Sequence, residues 1–204
     1  KMDCGSPIIR NLPLMRDYMY PPVSQVNVLA DNKWIRMDFK KTIQGEVVEH
    51  PYYAYYDGQY FWLTYPQDYF ARDWPVIETE YFRIHYLEDY QGYLHPVALD
   101  AADQFIEDMA DSLKLDGDIL DLIAEKKIEY FYCGTDSVVE EITGHRTKGT
   151  TDLASNDIIT AYFPHYHEMV HLLVAMKLQK LPLYTQPILR EGVAVHYGGR
   201  WGKA

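Results

Sequence analysis

Two kinds of hydrophobic spacing divide this chain. From residue 24 to 64 apolar and polar positions alternate as they do in strands. Trp34, Arg36 and Asp38 fall opposite Ile35, Met37 and Phe39, with no helical period. Val26, Val28 and Ala30 form a shorter run, and Val47-Val48 leads into the aromatic stretch Tyr52 to Tyr56. Asp57-Gly58 is a hairpin turn signal, after which Tyr60-Phe61-Trp62-Leu63 returns. These runs predict a small antiparallel β unit. Residues 1–23, with Pro7, Pro13, Pro21 and Pro22, read as an extended arm, and Tyr65 to Pro75 reads as a connector. The chain is therefore expected to divide into 1–77, the proline-rich arm and small β domain, and 78–204.

Beyond residue 77 the period changes. Strands are predicted over Glu80 to Tyr86, Lys127 to Cys133 and Ile158 to Tyr162. Between the first two, Leu94 to Leu113 places Val97, Ala98, Ala101, Phe105, Met109 and Leu113 at helical core spacing. Its acids Asp100, Asp103, Glu107, Asp108 and Asp111 read as a solvated face. Tyr162 to Leu178 reads as a second helix, buried along Val170, Leu173, Val174 and Met176 to Leu178, with Pro164 near its start and Pro182 beyond its end. Pro187 to Tyr197 reads as a third, with the small residues Gly192 and Ala194. The polar stretch Gly144 to Asp157 reads as a loop. The fold class this predicts is α+β: a small N-terminal antiparallel β unit, then a mixed sheet with a core helix and a helix pair.

Composition narrows the partners. Thirty acidic side chains against nineteen Lys and Arg give a net charge of −11. That balance disfavours nucleic acid, whose phosphates need clustered cations, and disfavours an anionic membrane surface. No run reaches the roughly 18 apolar residues of a transmembrane span. Cys4 and Cys133 give no metal-ligand spacing. Cys133 ends an apolar strand and reads as a buried thiol, with a Cys4–Cys133 disulfide as the alternative in an oxidising compartment. Asp116-Gly117-Asp118 lacks the rest of a calcium loop. The tyrosines of 52–56 read as half-buried hairpin residues before they read as a recognition platform, because aromatics are favoured in strands.

The chemistry concentrates in His167-Glu168-Met169-Val170-His171. Two histidines four apart lie one turn apart on one helix face, so both imidazoles can reach one ion. Glu191 follows His171 by twenty positions. Two His and one Glu are a known catalytic zinc set that keeps a fourth position for water, and Glu168 adjoins the first histidine as a general base for that water. The candidate metal ligands are therefore His167, His171 and Glu191, with one Zn2+ per chain. His165 points off the ligand face.

These residues resemble the gluzincins, the zinc metallopeptidases with two His and one Glu ligand. The His171-to-Glu191 spacing is similar to that of the thermolysin type. Leu189-Arg190-Glu191-Gly192-Val193-Ala194 looks more like the W-L-x-E-G-x-A pattern of the wider MA-type peptidases. The order of elements over about residues 78–200 is similar to the upper lobe of that clan, which implies a zincin-like sheet. There is no G-x-M-E-N segment, which disfavours an M1-type aminopeptidase. Thermolysin-like enzymes carry a lower lobe beyond this point, with a His or Tyr that stabilises the oxyanion. Here only thirteen residues follow Glu191, which leaves three readings open: the sequence is a fragment lacking that lobe, the domain is minimal, or upstream residues build the other wall. In MA-type folds the strand before the zinc helix is the sheet edge lining the cleft, here Asp157 to Phe163, where an extended peptide could add as a strand.

The resemblance implies a zinc-dependent metallopeptidase, an endopeptidase, acting on a peptide or protein substrate with Glu168 as base. For the oxyanion donor the candidates are His196 and Tyr197, then Tyr184 and His145. For the acceptors behind the ligating imidazoles they are Asp152 and Asp157. The alternative is a non-catalytic, zinc-stabilised binding module of peptidase descent on the cell envelope. The peptidase type and the nineteen tyrosines point to a secreted or cell-envelope location. The oligomeric state is not encoded in any pattern here.

Overall fold

The computed structural model describes residues 23–29, 32–43, 46–152, 155–178 and 186–200. The chain forms two compact units, Lys1–Arg72 and Asp73–Ala204. Cys4, Tyr184, Pro182 and residues 1–22 of the predicted arm lie outside the described residues.

The first unit is a four-stranded antiparallel meander in chain order: β1 (Val23–Val28), β2 (Trp34–Ile43), β3 (Glu46–Tyr56) and β4 (Phe61–Thr64). The turn after β3 is held by Asp57. Its carboxylate accepts from the Gln59 and Tyr60 amides at 2.7 and 2.8 Å and from Trp62 Nε1 at 2.6 Å. Gly58 takes φ 107°, a value that favours glycine. In the aromatic stretch Tyr53 is buried and Tyr52, Tyr55 and Tyr56 are half-buried. Tyr53 stacks on Tyr69 of α1 (Pro66–Phe70), ring centres 5.0 Å apart. The predicted connector thus contains a short helix that closes over β3.

The second unit is built on a five-stranded mixed sheet in the order β5-β6-β7-β9-β8. β6 (Phe82–Tyr86), β7 (Ile128–Tyr132) and β9 (Asp157–Thr160) run parallel in its middle. β5 (Val76–Glu78) and β8 (Gly149–Asp152) are antiparallel edges. α2 (Pro96–Leu113) and α3 (Gly117–Lys126) carry the chain from β6 to β7. α4 (Asp136–Thr143) follows β7, α5 (Tyr166–Leu178) follows β9, and α6 (Pro187–Gly198) comes last. Among the described residues no helix is long and apolar enough to cross a membrane. The fold is therefore α+β, with one antiparallel and one mixed sheet.

Alternation along β6 and β7 sets the core. Phe82, Ile84 and Tyr86 with Ile128, Tyr130 and Tyr132 face one side, joined by Ile158. Ile106 and Met109 of α2, Ile123 of α3, Met169, Leu172 and Leu173 of α5 and Ala194 of α6 pack there. Phe131 and Ile159, also buried, occupy the alternate positions, and α4 packs against β9. Cys133 is a buried free thiol, its pKa pushed up to about 12 by burial.

Three expectations are corrected. The strand before α5 is not the sheet edge: β9 is interior and wholly buried, and the edge is β8, inside the predicted loop. Gly149-Thr150-Thr151-Asp152 lacks the apolar alternation of a strand because it borders a polar cavity. Asp103 is not a solvated acid. Its carboxylate accepts from Thr79 Oγ1 at 2.7 Å and from the Glu80 and Tyr81 amides at 3.0 and 3.2 Å, fixing α2 to the turn that enters β6. α3 and α4 have no counterpart among the predicted elements.

Ile106 is fully buried while Val97, on the same helix, is 74% exposed. Ile106→Ala should lower the unfolding free energy by roughly 2–5 kcal/mol through lost burial and a cavity. Val97→Ala should change it by no more than about 0.5 kcal/mol. Urea unfolding of both variants checks the placement of the core.

Candidate metal centre

α5 and α6 approach closely because small residues face across the contact. Ala194 is fully buried. A Cβ at Gly198 would lie 2.6 Å from the main chain of His167, so only hydrogen fits there. This contact places Glu191, two turns before Gly198, opposite the histidines of α5.

The three predicted ligands converge. His167 Nε2 lies 3.1 Å from His171 Nε2 and 3.3 Å from Glu191 Oε2. His171 Nε2 lies 3.5 Å from Glu191 Oε1. Together these are a group that could hold a metal. The two contacts to Glu191 end on different carboxylate oxygens, so its carboxylate faces both imidazoles at once. Two imidazoles and a carboxylate also suit zinc by donor type.

The neighbours orient these groups. His167 Nδ1 lies 3.2 Å from the Gly199 carbonyl. A carbonyl only accepts, so Nδ1 carries the proton and Nε2 presents its lone pair. The acceptor is therefore main chain, and neither Asp152 nor Asp157. Those two buried aspartates stand opposite each other across β8 and β9.

Glu168 is buried beside this group. Thr151 Oγ1 of β8 lies 2.8 Å from its Oε2 and 2.9 Å from its main-chain carbonyl. Burial raises the Glu168 pKa, and the Thr151 hydroxyl opposes that shift. A carboxyl held at raised pKa in a closed setting is suited to taking and returning a proton. The Thr151 contact has no sequence signal, because it depends on strand β8.

His165 is more central than its position off the ligand face implies. It is buried, with Nδ1 3.1 Å from Thr160 Oγ1 and its amide donating to Tyr130 Oη at 3.1 Å. Its Nε2 is buried without a hydrogen-bond partner. Burial, then the neighbouring His167 and His171, depress its pKa to about 4. A Cβ at Gly149 would meet the His165 ring at 2.4 Å, so glycine is needed where β8 passes.

A cavity of about 500 Å³ opens here. Its walls include Gly149, Thr150 and Thr151 of β8, His165, His167, Glu168 and His171, and Arg190 and Glu191 of α6. His196 and Tyr197 do not line it. They are exposed and contact each other, ring centres 4.7 Å apart. At about 100° per residue they are turned roughly 140° and 240° from Glu191, a signal already present in the helical period. His145 is also exposed and away from the cavity walls.

Comparison with protein-family models, curated proteins and solved structures gives no match to this chain.

Two outcomes test this geometry. Gly198→Ala should destabilise the protein by about 1–3 kcal/mol by forcing the helices apart. Gly192→Ala, on the same helix with open space around its Cβ, should be neutral or slightly stabilising. Urea titrations distinguish them. The second concerns pH. Between about pH 6.5 and 4 the unfolded chain carries a proton on His165 that the folded chain excludes, so stability falls as pH falls across that window. His165→Gln removes this dependence. The stability difference between wild type and variant should shift by on the order of 3 kcal/mol between pH 7 and pH 4, in favour of the variant at low pH, measured on metal-free protein.

Proposed function

We propose that this chain is a zinc-dependent metallopeptidase of the gluzincin type, with a zincin-like second unit. The observation that carries the reading is one side-chain group: His167, His171 and Glu191, with contacts of 3.1 to 3.5 Å among them, and the buried carboxyl of Glu168 beside it. A site that only needed to hold an ion has no use for that carboxyl. The mixed sheet and its antiparallel edge strand β8 beside α5 support the zincin-like assignment.

His167, His171 and Glu191 would hold the ion. Bound zinc would supply Lewis acidity, lowering the pKa of a water and polarising the carbonyl of the scissile bond. Glu168 accepts the proton of the attacking water and returns it to the departing amine. Its raised pKa favours the second transfer. Thr151 fixes the carboxyl on the cavity side of α5. β8 lines the cavity and, among the described residues, its outer edge has no strand partner. An extended peptide could therefore pair along Gly149 to Thr151 and bring a carbonyl to the site.

The test joins metal content to cleavage. Wild type should purify with about one zinc per chain and cleave casein or a peptide library. Glu168→Gln should keep the zinc and lose at least a factor of about 10² in rate. His171→Ala should lose both. A protein with no zinc, or a Glu168→Gln variant as active as wild type, would sink the reading.

A further inference from the structure

Three cations border the cavity: Lys148, Arg190 and Arg200. They are notable in a chain of net charge −11. Lys148 is engaged, its Nζ 3.3 Å from Asp136 Oδ2. Arg190 differs. Its side chain forms no ion pair among the described residues, and its Nε is buried without a hydrogen-bond partner. A guanidinium is always charged and offers a planar fork of donors. Burying part of that fork unpaired is costly unless a ligand completes it.

Position says what the ligand would be near. Arg190 immediately precedes Glu191, so the two Cα atoms are about 3.8 Å apart. Both side chains line the cavity, together with His171 and Val174. The anionic groups in that wall are already occupied. Glu191 faces the two histidines, and Glu168 is held by Thr151. Among the charged groups of that wall described above, the guanidinium of Arg190 is therefore one whose Nε lacks a complement.

The geometry points to Arg190 as a substrate-binding residue that captures a carboxylate of the peptide, within a residue or two of the bond that is cut. This rests on the peptidase reading of the cavity and adds a substrate class to it: peptides carrying a negative charge beside the scissile bond. A carboxylate matches the guanidinium fork in shape and charge. The focused positive potential of one unpaired cation in a cleft also selects anions from an otherwise acidic surface. The carboxylate has two sources, the C-terminus of the peptide or an Asp or Glu side chain.

The experiment uses three hexapeptides of alanine with one phenylalanine. The first is blocked at both ends, the second has a free C-terminal carboxylate, and the third is blocked with one glutamate following the phenylalanine. Binding is measured by calorimetry to the Glu168→Gln protein, carrying the metal it is purified with, alone and combined with Arg190→Met or Arg190→Lys. One or both anionic peptides should bind at least about 10-fold more tightly than the neutral one. The preference should vanish with Arg190→Met and survive in part with Arg190→Lys. Which peptide gains identifies the source of the carboxylate. Metal content and circular dichroism equal to the parent protein show that the variants are folded. Equal binding of all three peptides, absence of binding, or a preference that persists in Arg190→Met overturns the assignment. Cleavage by the wild-type protein is followed separately. A preference lost with Arg190→Met in a protein that cleaves nothing would leave the carboxylate site standing and remove the peptidase reading.

Discussion

The close contact between α5 and α6 is the constraint on which the site depends. His167 and His171 are brought together by one helical turn, but Glu191 comes from another helix and has no local reason to be near them. It is there because Gly198 allows the main chain of α6 to rest against that of α5 at His167, with Ala194 buried between them. The same contact brings the Gly199 carbonyl to His167 Nδ1, which fixes the tautomer that faces Glu191. One steric allowance thus sets ligand position and ligand protonation together.

The second constraint is burial of ionisable groups around that contact. Glu168 has its pKa raised and His165 has its pKa depressed, both chiefly by removal from water. Each is pushed toward its neutral form, as expected where charge is costly. Glu168 is steadied by Thr151 and His165 by Thr160 and Tyr130. The hydroxyl partners come from β7, β8 and β9, so the sheet does more than support α5. It tunes the groups that α5 presents to the cavity.

How much of this was legible follows from the range of each interaction. The His167–His171 pair was legible because helical period alone puts those side chains together. The central strands and α2 were legible because their apolar positions repeat over enough residues to be distinctive. β8 was not, since its four residues border a polar cavity and alternate only weakly. Asp103 looked like every other acid on α2 until the turn before β6 came within hydrogen-bonding reach. His196 and Tyr197 lie close to Glu191 in sequence, yet the rotation of α6 carries them to the exposed side.

The sequence by itself determined the helix and strand segments with strong periods, the acidic balance, and the one-turn spacing of two imidazoles around a carboxyl-bearing residue. These are local properties, written in neighbours within a few positions. The tertiary structure alone decided which strand forms the sheet edge, which acceptor orients His167, how Glu191 reaches two histidines twenty or more residues earlier, and that the Nε atoms of Arg190 and His165 are enclosed without partners. Those depend on non-local packing, where a missing Cβ or a passing strand settles what a side chain meets.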